Sequence, residues 1–169
     1  MLLKFAKTRN VKTPARGHAT DAGIDFCCPE FDDAFIVDFE KQEANDGIVV
    51  ADNKIIIKPG QNACIPSGIK VEIPFGYMGL FLNKSGVASK KDVLIGAQVI
   101  DVFYSGEVHI DLHNVGESDF IITPNMKLTQ MTLVPILSCD LTECEEDSLY
   151  DWMKQDSHRG EGGFGSTGK

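Results

Sequence analysis

Residues 54–82 read KIIIKPGQNACIPSGIKVEIPFGYMGLFL. Short apolar or alternating runs at Ile55–Ile57, Ala63–Ile65, Ile69–Ile73 and Tyr77–Leu82 are separated by Pro59-Gly60, Pro66-Ser67-Gly68 and Pro74-Phe75-Gly76. Proline presets φ and glycine supplies the positive φ of tight turns, so each pair marks a chain reversal. Turn signals at this spacing predict a sandwich or barrel of short strands. The pattern continues beyond the stretch. Gln98–Ile100 and Glu107–Asn114 bracket a turn at Tyr104-Ser105-Gly106, and Phe120–Thr123 and Leu128–Leu137 flank Pro124-Asn125. Helix is scarce. Leu149, Trp152 and Met153 form an i, i+3, i+4 stripe over Glu145–Lys154, and Val87–Asp92 has room for a turn or two. Asp38–Asn53 is acidic and poor in strand formers, which predicts a hairpin or an excursion outside the core.

The chain has 169 residues, 43% of them hydrophobic, which fits one globular domain. The predicted organisation is a single β domain over 1–158, with extensions at 38–53 and 141–157, followed by an arm over 159–169. The formal net charge is -9, so binding to duplex nucleic acid, which needs a basic face, is not expected. No apolar run approaches the ~20 residues of a membrane span. The start, MLLKFAKTRN, has no apolar h-region, so the expected compartment is the cytoplasm. The five cysteines, Cys27, Cys28, Cys64, Cys139 and Cys144, are odd in number and read as free thiols. Cys27 and Cys28 are adjacent and would face opposite sides of a strand. Cys139 and Cys144 lack the second ligand pair of a zinc site.

Four places carry candidate chemistry. The arm, Arg159-Gly-Glu-Gly-Gly-Phe164-Gly-Ser166-Thr167-Gly-Lys169, holds five glycines in eleven residues. Such a segment is expected to be mobile. Its backbone N–H groups can also approach phosphate oxygens. Gly163 to Lys169 imitates part of a Walker loop, but the helix such a loop needs has no room to follow. The arm therefore reads either as a simple tail or as a segment that closes on something flat under Phe164. Lys84-Ser85-Gly86 can form a phosphate cradle or an ordinary surface turn. Asp101 sits in an apolar run, where a carboxylate is paired, hydrogen-bonded or functional. It reads as a general base, a water-orienting group or a turn cap. His109, Asp111 and His113 alternate along one strand face, opposite Val108, Ile110 and Leu112. They suit a metal site or, more simply, a polar face.

Five segments, in one order, give the chain a family resemblance. They are ATDAGIDF at 19–26, KSGVA at 84–88, GAQVIDVFYSG at 96–106, PNMKLTQ at 124–130 and RGEGGFGSTG at 159–168. Together they resemble the trimeric dUTP pyrophosphatase (dUTPase) family. The resemblance implies a jelly-roll-like β barrel with a little helix. It also implies a homotrimer whose sites each draw on three subunits, the glycine arm closing over a neighbour. The implied reaction is hydrolysis of dUTP to dUMP and pyrophosphate with Mg²⁺, which limits uracil in DNA and supplies dUMP for thymidylate synthesis.

By the same resemblance, Asp101 handles the attacking water and Tyr104 packs on the sugar, leaving no room for a 2′-hydroxyl. Gln98, Val99, Ile100 and His109 read uracil, largely through backbone. Lys84, Ser85, Gly86 and Gln130 contact the phosphates, and Arg159 reaches the terminal ones. Phe164 stacks on the base, Gly165, Ser166 and Thr167 donate to phosphate, and Asp25 supports the water shell of Mg²⁺. The chain departs from the family pattern at Lys84, where Arg is usual, at Gln98 and His109, where Gly is frequent, and at Val102-Phe103, where an acidic residue is frequent. Two competing functions share the scaffold. One is a dCTP deaminase, with Asp111 where those enzymes carry a catalytic Glu. The other is a nucleotide-sensing protein that grips a partner through 38–53.

Overall fold

The structure, a computed structural model, describes residues 2–150. Among them the strands are β1 (Lys4–Lys7), β2 (Ile24–Cys27), β3 (Val50–Ala51), β4 (Lys54–Ile57), β5 (Asn62–Pro66), β6 (Ile69–Glu72) and β7 (Tyr77–Leu82). They continue with β8 (Val93–Ile95), β9 (Val99–Ile100), β10 (His109–Asn114), β11 (Phe120–Ile122) and β12 (Lys127–Pro135). Two short helices, α1 (Asp33–Glu40) and α2 (Ser85–Lys91), interrupt them. Every strand pair is antiparallel. The sheets run β2-β12-β7-β9, β5-β10-β8, β11-β4-β3 and β1-β6, an all-β, jelly-roll-like arrangement. The chain divides into a compact unit over Met1–Leu137 and a second over Ser138–Lys169.

The core follows the alternation of the sequence. On β10, Ile110, Leu112 and Asn114 point inward, while His109, Asp111 and His113 share the other face. Ile55 and Ile57 of β4, Ala63 and Ile65 of β5, and Ile69 and Val71 of β6 complete the same pattern. On the core side of the four-stranded sheet, Phe26 of β2 meets Phe81 of β7 edge to face at 5.1 Å, the arrangement favoured by the ring quadrupoles.

The acidic segment at 38–53 is not an excursion. Phe39, Asn45 and Ile48 within it are buried. So is Phe35 just before it, one turn earlier on α1. The i, i+4 spacing of Phe35 and Phe39 is a helix period, and Asp32 starts the helix by accepting the Phe35 N–H at 2.8 Å. Stacking of Phe31 on Phe35 at 4.8 Å and of Phe35 on Phe39 at 5.9 Å carries the helix into the core. Asn45 then closes the segment onto β5. Its amide donates to the carbonyls of Phe39 (2.8 Å) and Cys64 (2.9 Å), and its Oδ1 accepts the Cys64 N–H at 2.7 Å. One side chain thus replaces a strand partner. The hairpin expectation holds at the end of the segment, where β3 pairs β4 around Asp52 and Asn53, both left-handed (φ 50° and 59°).

The stripe over Glu145–Lys154 gives only a 3₁₀ turn at Glu146–Ser148, and its remainder lies outside the described residues. Val87–Asp92 does become helical, as part of α2. All five thiols are free, and Cys27 and Cys28 are both buried, so neither side of that strand end meets water. Burial pushes the Cys64 thiol up to about 11. No helix among the described residues is long and apolar enough to cross a membrane.

Candidate active site

Two constellations of the expected residues form, on opposite sides of β7. The first is a cavity of about 290 Å³ lined by Phe81, Gln98, Val99, Ile100, Asp101, Tyr104 and His109, with Ala97 and Val108. Its back wall exists because β9 pairs with β7, Gly79 opposite Ile100, and because the Phe81 N–H bonds the Gln98 carbonyl at 2.8 Å. Gly79 suits this close approach, since a Cβ there would lie 3.0–3.2 Å from Ile73, Ile100 and Met131 and they would have to give way.

The rim is the turn from Asp101 to Tyr104, closed by the Tyr104 N–H on the Asp101 carbonyl at 3.3 Å. Phe103 takes the left-handed conformation at its third position (φ 69°) and is 85% exposed. The Asp101 carboxylate is exposed and makes no hydrogen bond to the described residues, so the turn-cap reading of its side chain fails. Tyr104 Oη donates to the Glu107 carbonyl at 2.9 Å. His109 Nδ1 lies 3.0 Å from the same oxygen. A carbonyl only accepts, so this contact puts the proton on Nδ1 and leaves Nε2 as an acceptor. Gly106 makes the fold of the turn possible: a Cβ there would sit 2.5 Å from the Tyr104 oxygen.

The second constellation is charged. Asp25 on β2 stands opposite Gln130 on β12. Its Oδ1 pairs with Lys84, just before α2, and its Oδ2 with Lys127 on β12 at 2.7 Å. Burial alone would raise the Asp25 pKa. The two ammonium groups together outweigh it and hold the carboxyl below its ordinary value, and the same hydrogen bond raises Lys127. Gln130 donates to the Asn83 carbonyl at 2.9 Å. Its Oε1 would lie 2.1 Å from a Cβ at Gly23, so that glycine admits it. These residues and Asp21 line one cleft. Ser85 and Gly86 open α2 beside it. Nothing lies within 4 Å of the place a Gly86 Cβ would occupy, so no contact in the described residues explains the missing side chain.

The two constellations share no lining residue, and they meet β7 through Phe81 and Leu82, whose side chains point oppositely. Arg159, Phe164, Gly165, Ser166 and Thr167 lie outside the described residues. Lys127 was not anticipated by the sequence; it stands opposite Cys27 in the β2–β12 ladder and reaches Asp25 diagonally. Asp111 lines neither site. Its Oδ2 accepts the Ala97 N–H at 3.0 Å and pairs with His113 at 3.1 Å. Among the described residues no group of three or more His, Cys, Asp or Glu is placed to hold a metal, so the metal reading of His109, Asp111 and His113 is not supported.

Comparisons with known proteins bear on the family and the fold. The dUTPase family model matches residues 47–168. The deoxyuridine 5′-triphosphate nucleotidohydrolase of Chlamydia trachomatis (serovar D) is 38% identical over 117 residues, covering 68% of this chain and 77% of its own. The structure of the Staphylococcus bacteriophage 80alpha dUTPase with dUpNHpp superposes with a TM-score of 0.75 at 26% identity, covering 99% of both chains. A point-mutant dUTPase from phage phi11 of S. aureus, described with a structural Mg(II) ion, matches in fold with a TM-score of 0.67 at 24% identity, covering 86% of this chain and 98% of its own.

Proposed function

This chain belongs to the dUTPase family, and from that premise we infer that it is a dUTP diphosphatase, hydrolysing dUTP to dUMP and pyrophosphate. One observation supports the reading most directly. The cavity beside β9 gathers every described residue expected at the nucleoside, with a free carboxylate, Asp101, on its rim.

Hydrolysis requires a water to attack the α-phosphorus through a shell of negative oxygens, so catalysis is alignment and charge neutralisation. Asp101 orients and deprotonates that water. Tyr104, fixed through its phenol, keeps its ring against C2′ of the sugar and leaves no room for a ribose hydroxyl. The backbone of Gln98–Ile100 supplies the donor and acceptor that uracil needs, and His109 adds an acceptor at Nε2. Lys84, Ser85, Gly86 and Gln130 receive the phosphates, and the bare Gly86 backbone lets an oxygen come close. Asp25 keeps Lys84 and Lys127 directed into the cleft. Arg159 reaches the terminal phosphates, while Phe164, Gly165, Ser166 and Thr167 close over the nucleotide.

Mg²⁺ fits this set in one way. Both Asp25 oxygens already accept from lysines, so Asp25 would hold that ion only through its water shell, as Mg²⁺ tolerates. Bound with the triphosphate, it would supply positive charge to the phosphate oxygens. Because nucleoside pocket and phosphate cleft open on opposite sides of β7, each complete site takes them from different protomers of a homotrimer. The free thiols suit a reducing cytoplasm. The exposed side of 38–53, including Val49 and Glu43, is the face offered to a protein partner.

Deamination of dCTP is not favoured, since Asp111 is engaged with the Ala97 N–H and His113 and does not itself line the pocket. The test is pyrophosphate release from dUTP, dTTP, dCTP and UTP, each with Mg²⁺. Release from dUTP far above the other three is expected. Ammonia from dCTP in its place would overturn the assignment.

A further inference from the structure

The two polar walls of the nucleoside pocket converge on one atom. Tyr104 Oη and His109 Nδ1 both bond the main-chain oxygen of Glu107, at 2.9 and 3.0 Å. Glu107 is itself fixed from behind. Arg9 Nε approaches its two carboxylate oxygens at 2.9 and 3.2 Å, and the Gly68 N–H donates to Oε1 at 2.6 Å. The far end of the same guanidinium, Nη2, pairs with Asp38 on α1. The side chains of Arg9 and Glu107 are only 9% and 13% exposed, against 39% for Asp38. This is a largely dry fork, not a surface pair, and a planar fork fixes direction as well as distance.

The backbone around Arg9 is equally constrained. The Thr8 N–H bonds the Gly68 carbonyl at 2.8 Å. Gly68 has φ +73°, and a Cβ there would press on Arg9 Cβ at 3.2 Å and Val11 at 3.0 Å. On the other side of Glu107, Val108 exchanges hydrogen bonds with the same turn, its N–H to the Ile69 carbonyl and its carbonyl from the Ser67 N–H. Glu107 is therefore held at its side chain by Arg9 and at its main chain by the pocket.

We propose that Arg9 is a positioning residue for dUTP hydrolysis: through Glu107 it fixes Tyr104 and His109 against the nucleoside, with Asp38 of α1 bracing the guanidinium. The proposal rests on the dUTPase reading. Arg9 touches neither water nor phosphate in this scheme, so its work appears in sugar selection and nucleoside binding. A loosened Tyr104 ring admits a 2′-hydroxyl. A residue that served the fold alone would change stability and leave selectivity where it was.

The experiment compares wild type with Arg9→Met, Arg9→Lys and Asp38→Asn, using pyrophosphate release from dUTP and UTP with Mg²⁺ at a temperature where circular dichroism shows each variant folded. Arg9→Met keeps the apolar stem and loses the fork. Its dUTP-over-UTP ratio of kcat/KM is expected to fall about tenfold, mainly through a higher KM for dUTP and a gain on UTP, with kcat for dUTP within about twofold. Arg9→Lys restores part of the selectivity, because one ammonium bonds Glu107 but cannot also span to Asp38. Asp38→Asn, at the exposed end, shifts the ratio the same way by about threefold at most. If Arg9→Met does not fold, the ratio is read from the other two. Selectivity equal to wild type in the folded variants overturns the proposal and leaves the activity standing. A wild-type protein that releases no pyrophosphate from dUTP overturns the functional reading and the proposal with it.

Discussion

Asp25 carries two ion pairs on one carboxylate, and its lowered pKa makes a signed claim about pH. A depressed carboxyl contributes stability that is complete above its unfolded value, near ~3.9, and is lost as pH falls through the lower folded value. The stability difference between wild type and Asp25→Asn is expected to be constant from about pH 7 down to about pH 4 and to shrink below that. Urea titrations across this range check it, and a decline already under way near neutrality would contradict the clamp. Asp101 is the opposite kind of carboxylate, exposed and without a side-chain partner among the described residues. Asp101→Asn should lower kcat by about a thousandfold or more while dUTP still binds with near-normal affinity, as calorimetry would read. Asp25, Asp101, Lys84 and Gln130 were visible as candidates because each sits in a short local motif. Arg9, Glu107 and Lys127 were not. Their meaning comes from partners a long way off in sequence, and a single charged residue at a strand end carries no local signal of such a partner.

At the scale of elements, the strands that alternate over four or more residues were readable, and so were the proline and glycine turns between them. β1 and β8 were not, and of β2 only the end at Cys27 was. β1 is exposed along its whole length, so it has no alternation to read, and β8 is only three residues long. The helix α1 was hidden by its acidic surroundings. Its signal is two phenylalanines one turn apart behind an Asp cap, too brief to stand out in an eight-residue element. Because Phe39 is fully buried, Phe39→Ala should destabilise the protein by about 3–5 kcal/mol. Chemical denaturation measures this. A loss under about 1 kcal/mol would return the segment to the role of a loose extension.

At the scale of the molecule, the separation of the nucleoside pocket from the phosphate cleft leads to a mixing experiment. Asp101→Asn and Lys84→Ala should each be inactive alone. Refolded together, they are expected to recover about a quarter of wild-type activity, since an intact site needs an unmutated pocket from one protomer and an unmutated cleft from its neighbour. No recovery in mixed assemblies would place both halves in one subunit. The connectivity that splits the site also governs when the fold can form. β2 pairs with β12, the last strand among the described residues, β1 waits for β6, and Arg9 waits for Glu107. Loop closure over such spans is slow, and nothing local rewards it first. While the chain is being synthesised, its leading thirty or so residues emerge with their apolar sides bare and no strand to join. Ribosome-bound chains should accordingly stay open to protease until Pro135 clears the exit tunnel. They should then become resistant in one step, so chaperones have their work before that strand appears.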